Sequence, residues 1–199
     1  MVETREQIRR AMRKRRRALG LHERRVRAKS LAARLACHPL FLRSRHLALY
    51  LPNDGEVDLN PLLRRALAMG KRCYLPVLSP AFHNRLWFAP YTPDTPLALN
   101  CFRIPEPVAG WRDMRPVWTL DLVLTPLVAF DAVGNRLGMG GGFYDRTLAY
   151  LVRRAAWRKP RLLGVAYDFQ EHASLPHEPW DVPLDGVVTD QGLHMFQYP

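Results

Sequence analysis

Asp121-Leu122-Val123-Leu124-Thr125-Pro126-Leu127-Val128-Ala129-Phe130 is followed, after three residues, by Gly134-Asn135-Arg136-Leu137-Gly138-Met139-Gly140-Gly141-Gly142-Phe143-Tyr144-Asp145-Arg146. The first block opens with the most apolar strand candidate in the chain, Asp121–Thr125. The second packs five glycines into nine residues, with an arginine among them and an aromatic pair and an aspartate behind. Tyr144–Ala156 reads as a helix. Strand, glycine-rich loop and helix therefore follow one another. Glycine has no Cβ and accepts positive φ, so such a loop bends tightly and lets backbone approach a ligand. Consecutive N–H groups there form an anion-binding concavity, and the helix start adds its own orphan donors. The segment is suited to a phosphorylated ligand.

The loop is not of a common phosphate type. A Walker loop requires Gly-x-x-x-x-Gly-Lys-Ser/Thr, and no lysine follows a glycine here. Gly138-x-Gly140-x-x-Phe143 lacks the third glycine of a dinucleotide fingerprint. A sharply turned surface loop is the alternative to a ligand cradle. Arg136 supplies a planar five-donor fork matched to phosphate. Asp145 supplies a hard oxygen at which Mg²⁺ could bridge phosphates, or a carboxylate that complements a helix N-terminus.

Outward from this stretch, strands alternate with helices. Thr4–Leu19 is a basic helix on which Ile8, Met12 and then Arg15 or Arg16 share a face. Leu21–Cys37 is a second helix with Val26, Leu31 and Leu35 as its buried stripe. His46–Leu51 is a strand that runs into the turn Pro52-Asn53-Asp54-Gly55. Leu59–Met69 is a helix closed by Gly70. Cys73–Val77, Leu86–Tyr91, Leu162–Tyr167 and Gly186–Thr189 are strands. Residues 92–118 are proline-rich and read as an insertion over the site. The alternation predicts one domain over 1–199: a three-layer α/β/α sandwich, Rossmann-like, whose mostly parallel sheet has helices on both faces. Ligands in such sheets bind beyond the carboxyl ends of the strands, where the glycine loop sits.

The chain has 199 residues, 48% of them hydrophobic, enough to bury a core. It has no run of eighteen apolar residues, so no membrane span is expected, and its basic start lacks the apolar stretch of a secretory signal. The formal charge is +12, and residues 1–30 alone hold twelve Lys/Arg against three Asp/Glu. Such a local stripe binds nucleic acid, a membrane surface or a polyanionic small ligand, or is a solvated helix face; most of Arg13 to Arg17 fit the last. Cys37, Cys73 and Cys101 form no Cys-x-x-Cys pair and read as small buried hydrophobes in a reducing cytoplasm. No two of the seven histidines have metal-ligand spacing.

Arg136-Leu137-Gly138-Met139-Gly140-Gly141-Gly142-Phe143-Tyr144-Asp145 resembles the signature of the 5-formyltetrahydrofolate cyclo-ligase family. Further blocks occur in the family's order: Arg5-Glu6-Gln7-Ile8-Arg9, Leu51-Pro52-Asn53-Asp54-Gly55-Glu56-Val57-Asp58, Cys73-Tyr74-Leu75-Pro76-Val77, Ile104-Pro105-Glu106-Pro107 and Asp181-Val182-Pro183-Leu184-Asp185. The likeness spans nearly the whole chain. It departs at Met139 and Gly141, where many relatives carry an arginine and a lysine.

The resemblance implies an ATP- and Mg²⁺-dependent ligase of one-carbon metabolism, cytoplasmic and monomeric, with no nucleic-acid or membrane partner. It would convert 5-formyltetrahydrofolate to 5,10-methenyltetrahydrofolate with release of ADP and phosphate. It implies ATP contacts from Arg5, Arg9, Arg136, Leu137, Gly138, Met139, Gly140, Gly141, Gly142, Phe143 and Tyr144, with Arg136 and Asp145 as the catalytic pair. With two cations absent at Met139 and Gly141, Arg136 and the N-terminal arginines would carry more of the phosphate charge. Asp145 and Asp185 are the implied Mg²⁺ ligands, with Asp181 a second candidate; Asp185 could instead cap a turn. Folate contacts fall to Leu51, Glu56, Phe102, Phe143 and Tyr144. Glu56 could equally be an exposed turn residue, and Leu51 and Phe102 could be core. Two other readings stay open: a nucleic-acid binder using the basic N-terminus, and a different phosphate-handling enzyme on a related fold.

Overall fold

A computed structural model describes residues 3–79, 84–153 and 159–196. Helix α1 (Arg5–Ala18) begins with a reciprocal cap: Thr4 Oγ1 accepts from the Gln7 N–H, and Gln7 Oε1 accepts from the Thr4 N–H. Helix α2 (Leu21–Ala36) buries Ala28, Leu31, Ala32 and Leu35. Val26, expected on that stripe, is 53% exposed. The 3.6-residue period set by Leu31 and Leu35 selects positions 28 and 32 and turns 26 outward. A short α3 (Pro39–Arg43), not anticipated, leads into β1 (His46–Ala48). Then come α4 (Asn60–Ala68), closed by Gly70 at φ +69°, β2 (Arg72–Leu78) and β3 (Leu86–Pro90).

The proline-rich insertion contains a hairpin, β4 (Leu97–Leu99) with β5 (Pro105–Pro107), and two 3₁₀ turns. After β6 (Leu122–Pro126), the chain makes a second small hairpin, β7 (Ala129–Phe130) with β8 (Arg136–Leu137). The helix expected over Tyr144–Ala156 is α5 (Phe143–Leu148) and α6 (Tyr150–Arg153), separated at Ala149. Its expected end, beyond residue 153, lies outside the described residues. Then follow β9 (Arg161–Val165), β10 (Gly186–Val188) and β11 (Leu193–Met195).

The main sheet has the order β11-β10-β9-β6-β1-β2-β3. Its five inner strands are parallel, with Leu47 opposite both Cys73 and Leu122, and Val123 opposite Leu162. The outer strands β3 and β11 pair antiparallel. Period-two alternation fills both faces. Leu47, Leu122, Leu124, Leu163 and Val165 pack with α2 and α4. Ala48, Val123, Leu162 and Val187 pack with Leu148 of α5 and with Val117 and Leu120. The α/β/α sandwich expected from the alternation is the fold observed. Helix α1 stands apart: Ile8 and Met12 cover Ala129 and Leu137 of the β7–β8 hairpin.

From β1 the chain moves outward through β2 and β3, then returns to β6 on the other side of β1. The crossover directions diverge between β1 and β6, which opens a crevice at their carboxyl ends.

Candidate active site

A cavity of about 980 Å³ occupies that crevice. Tyr50 and Leu51, just past β1, and Pro126 and Leu127, at the exit of β6, form its floor. Its volume is at the upper end for small-molecule sites, large enough for more than one drug-sized ligand.

One wall is the glycine loop, Gly138 to Gly142. Gly140 (φ +100°) and Gly142 (φ +64°) adopt backbone that side chains rarely tolerate, and Gly142 opens directly into α5. Among the described residues, no N–H of Met139, Gly140, Gly141 or Gly142 donates to a protein acceptor. Four successive donors beside a cavity make an anion cradle. Met139 stands at the rim, 48% exposed. Leu137, expected at the nucleotide, is fully buried beneath Ile8 and does not line the cavity. As a strand residue of β8 it faces the core, and only its neighbours reach the ligand space.

Cations surround this loop. Arg9 Nε donates to the Gly138 carbonyl at 2.9 Å and pins the loop to α1. Arg5 pairs with Asp181 at 3.0 Å. Burial, then the neighbouring Arg5 charge, holds the Arg9 guanidinium below its usual range. Arg136 is buried; it donates to the Val182 carbonyl and, at 2.5 Å, to Asp145 Oδ1. Asp145 Oδ1 also accepts from the Val182 N–H at 3.3 Å. Arg136 and Asp145 thus tie the glycine loop to the segment around Val182.

Asp185, expected with Asp145 at a metal, is not brought to it. Its carboxylate accepts from Arg161 at 2.5 Å and from the Leu162 N–H at 2.7 Å, at the amino-terminal ends of β9 and β10 and outside the cavity lining. It closes the entrance of the neighbouring strand β9. Among the described residues, no cluster of three or more His, Cys, Asp or Glu could hold a metal. Asp145 and Asp181 are the carboxylates beside the loop. That donor set fits a Mg²⁺ ion that arrives on phosphates and borrows a carboxylate, the usual mode for this cation, and does not fit an all-protein cage.

The opposite wall is the turn after β1. Asp54 (φ +51°) and Gly55 (φ +78°) both take left-handed backbone, which brings Glu56 back towards the cavity. Glu56 is not the exposed turn residue its position allowed: its side chain is 10% exposed. Oε2 accepts from the Asn53 N–H at 3.1 Å, and Arg16 Nη1 lies 3.8 Å from Oε1. Burial pushes the Glu56 carboxyl up to about 7, against the opposing pull of Arg16 and the Asn53 N–H. Asp54 is gripped by Arg13 at 2.7 Å, Arg16 at 2.8 Å and Arg17. Burial raises its carboxyl, but these arginine hydrogen bonds outweigh that and hold it below the ordinary range. Arg16, expected among solvated charges, is 1% exposed.

Aromatic groups close the cavity. Phe102 meets Phe143 edge to face, ring centroids 5.6 Å apart, and is 56% exposed, so it is not a core residue. The insertion expected to cover the site does so through Asn100, Phe102, Ile104 and Glu106, the last of which accepts at Oε1 from the Leu78 N–H of β2 at 3.1 Å. Burial, then the Glu56 charge, pushes the Tyr144 hydroxyl well up, so it stays a neutral donor. Sequence reasoning missed Trp180, 66% exposed at the cavity rim; its position next to Asp181 in the matched C-terminal block was the available signal.

A family model described as the 5-formyltetrahydrofolate cyclo-ligase family matches residues 1–190. The chain belongs to that family. It is 43% identical over 180 residues to the 5-formyltetrahydrofolate cyclo-ligase of Escherichia coli (strain K12), covering 89% of this chain and 96% of the relative. It is likewise 43% identical over 149 residues to that of Haemophilus influenzae, covering 74% and 76%. The solved structure of Aquifex aeolicus 5,10-methenyltetrahydrofolate synthetase superposes with a TM-score of 0.81 at 33% identity, covering 98% of this chain and 94% of the other. A Mycoplasma pneumoniae 5,10-methenyltetrahydrofolate synthetase shares the fold at TM-score 0.71 and 23% identity. In this member of the cyclo-ligase family, the signature loop, the N-terminal arginines, Glu56 and the aromatic lid meet in one cavity, while Leu137 and Asp185 lie apart from it. Cys73 is buried and its thiol pushed up to about 11 by that burial, whereas Cys37 and Cys101 are exposed, contrary to expectation.

Proposed function

We propose that the chain cyclises 5-formyltetrahydrofolate to 5,10-methenyltetrahydrofolate at the expense of ATP, releasing ADP and phosphate. One observation carries the reading: four successive residues whose N–H groups have no protein acceptor among the described residues, and a buried carboxylate, line the same cavity. The cradle suits a polyphosphate. The carboxylate suits the paired N–H and NH₂ edge of a pterin.

The chemistry assigns a task to each wall. An N-formyl oxygen is a poor leaving group, so it must be activated. It attacks the γ-phosphorus, the bond from phosphorus to the bridging oxygen breaks, and ADP leaves. The resulting imidate-like phosphate carries an electrophilic carbon. N10 attacks that carbon, loses its proton, and inorganic phosphate departs as the ring closes. The protein performs no covalent step; it aligns the two substrates and neutralises charge on the moving phosphoryl group. Met139 to Gly142 present N–H groups to the phosphates. Arg5 and Arg9 add charge from α1. Arg136 holds Asp145, and Asp145 would hold Mg²⁺ brought by the nucleotide; when bound, that ion neutralises phosphate charge. Glu56 fixes the pterin, with Leu51, Phe102, Phe143 and Tyr144 as apolar surface around it. The proline-rich insertion keeps water from the activated intermediate.

The product has a conjugated amidinium that absorbs in the near ultraviolet, whereas the 5-formyl substrate does not. Folded protein mixed with 5-formyltetrahydrofolate, ATP and Mg²⁺ should raise that absorbance, and leaving out ATP should abolish the rise. A flat trace with all components present contradicts the proposal.

A further inference from the structure

Arg16 is a fully charged side chain placed where a core residue belongs. It lies on α1, yet it points between the turn after β1 and the exit of β6. Nε donates to the Asp54 carbonyl at 2.8 Å, Nη2 to Asp54 Oδ2 at 2.8 Å, and Nη1 to the Leu127 carbonyl at 3.2 Å. A buried guanidinium is costly to desolvate, and it is tolerated only when its donors are used. Holding the turn does not by itself require it, because Arg13 and Arg17 already grip Asp54 from the surface. What Arg16 alone adds is its approach to Glu56. Among the described residues it is the cation within 4 Å of that carboxylate. Oε2 of Glu56 is occupied by the Asn53 N–H, while Oε1 makes no hydrogen bond among the described residues and lies 3.8 Å from Arg16 Nη1. Gly55 has no side chain for a related reason: a Cβ there would lie 3.1 Å from the Arg16 carbonyl oxygen.

We propose that Arg16 is a positioning residue for folate recognition: locked to the Asp54 turn and to the Leu127 carbonyl, its guanidinium holds the Glu56 side chain in place, ready to accept a pterin edge. This rests on the reading that Glu56 receives the pterin. Arg16 touches no substrate; it acts through Glu56. The groups facing Glu56 are Arg16 from α1, Asp54 from the same turn, Tyr50 beyond β1 and Tyr144 from α5. Only Arg16 among them is cationic, so its loss leaves the carboxylate opposed by burial and by Asp54.

The test is steady-state kinetics of Arg16→Met and Arg16→Lys across pH 6 to 9, with folate and ATP varied separately. Arg16→Met should raise KM for 5-formyltetrahydrofolate by roughly tenfold or more, the scale of one charge-assisted interaction, with KM for ATP within about twofold. It should also move the acid limb of kcat/KM for folate to higher pH by about one unit, because the carboxylate loses its opposite charge. Arg16→Lys keeps the charge without the fork, so the limb should return towards wild type while folate KM stays raised. Should Arg16→Met not fold, Arg16→Lys decides alone: raised folate KM supports the role, and wild-type folate KM contradicts it. A merely structural role would lower melting temperature and depress both substrates' kinetics alike, with no displaced limb, and that result overturns the inference. A wild-type protein without ATP-dependent product formation would instead overturn the underlying reading and leave these variants with nothing to measure against.

Discussion

Glu56 concentrates the site's electrostatics in one side chain. Its carboxyl, raised by burial to about 7 from 4.5, ties stability and, under the proposed function, folate recognition to pH in opposite senses. As the proposed pterin acceptor, Glu56 must be the anion, so kcat/KM for folate should climb with pH through about 7. Stability runs the other way. Below 4.5 both folded and unfolded chains are protonated; between 4.5 and about 7 the unfolded chain ionises first, so the folded state loses stability as pH rises. Above that window the loss is complete, on the order of 3 kcal/mol. Glu56→Gln should therefore melt close to wild type at pH 5 and above it at pH 8, while its folate KM rises at every pH. Equal melting shifts at both pH values would contradict the assignment. Gly55→Ala should cost about 1–2 kcal/mol, from the positive φ and the crowding against Arg16, and should displace Glu56 enough to raise folate KM. At this scale the sequence was half legible. Glu56 was recognisable from its block, but its burial was not, because the groups packed around it include Arg16, forty positions away in a run of charges. Asp185 was ambiguous for the complementary reason: a carboxylate beside a strand start is equally suited to metal and to a neighbouring arginine, and here it pairs with Arg161 at the start of the adjacent strand β9.

Helix α1 links both walls of the cavity. Its first turns reach the glycine loop through Arg9 and the Val182 segment through the Arg5–Asp181 pair. Its last turns clamp Asp54. Arg9→Ala should thus raise KM for ATP about tenfold, as expected for a lost charged contact, with folate KM nearly unchanged; matched rises in both would show a general loosening instead. Asp145→Asn should require more Mg²⁺ for half-maximal rate, and an unaltered metal titration would remove Asp145 from the metal. The spacing of Ile8 and Met12 pointed to Arg15 or Arg16 as the next residue on that face of α1, and the structure buries Arg16. Residue chemistry argued for solvent, and tertiary partners reversed that preference. The glycine loop was legible because its backbone demands are local. The β7–β8 hairpin was not, since its strands have two residues each and pair only through the surrounding fold.

For the whole molecule, the doubled-back strand order creates the crevice, and the two-faced core keeps it open. Leu124 is fully buried in β6, the strand that feeds the site. Leu124→Ala should cost roughly 2–5 kcal/mol by denaturant titration while leaving KM values of the folded enzyme within about twofold, because the core supports the site without touching ligand. The alternating pattern made the central sheet readable from apolar runs alone. The antiparallel β11 escaped because Leu193-His194-Met195 is short and mixed in character. The concentrated N-terminal charge also reads differently once folded: Arg13, Arg16 and Arg17 converge on Asp54, and Arg27 on Asp190. Much of it serves internal pairing. The central claim is that the loop from Gly138 to Gly142 cradles a nucleotide's terminal phosphates while Glu56 faces the same cavity. Crystals grown with Mg²⁺, a non-hydrolysable ATP analogue and 5-formyltetrahydrofolate test it directly. The account predicts γ-phosphate oxygens within hydrogen-bond reach of the Met139–Gly142 N–H groups and the pterin edge on Glu56. A triphosphate bound elsewhere, with that loop making no phosphate contact, would contradict it.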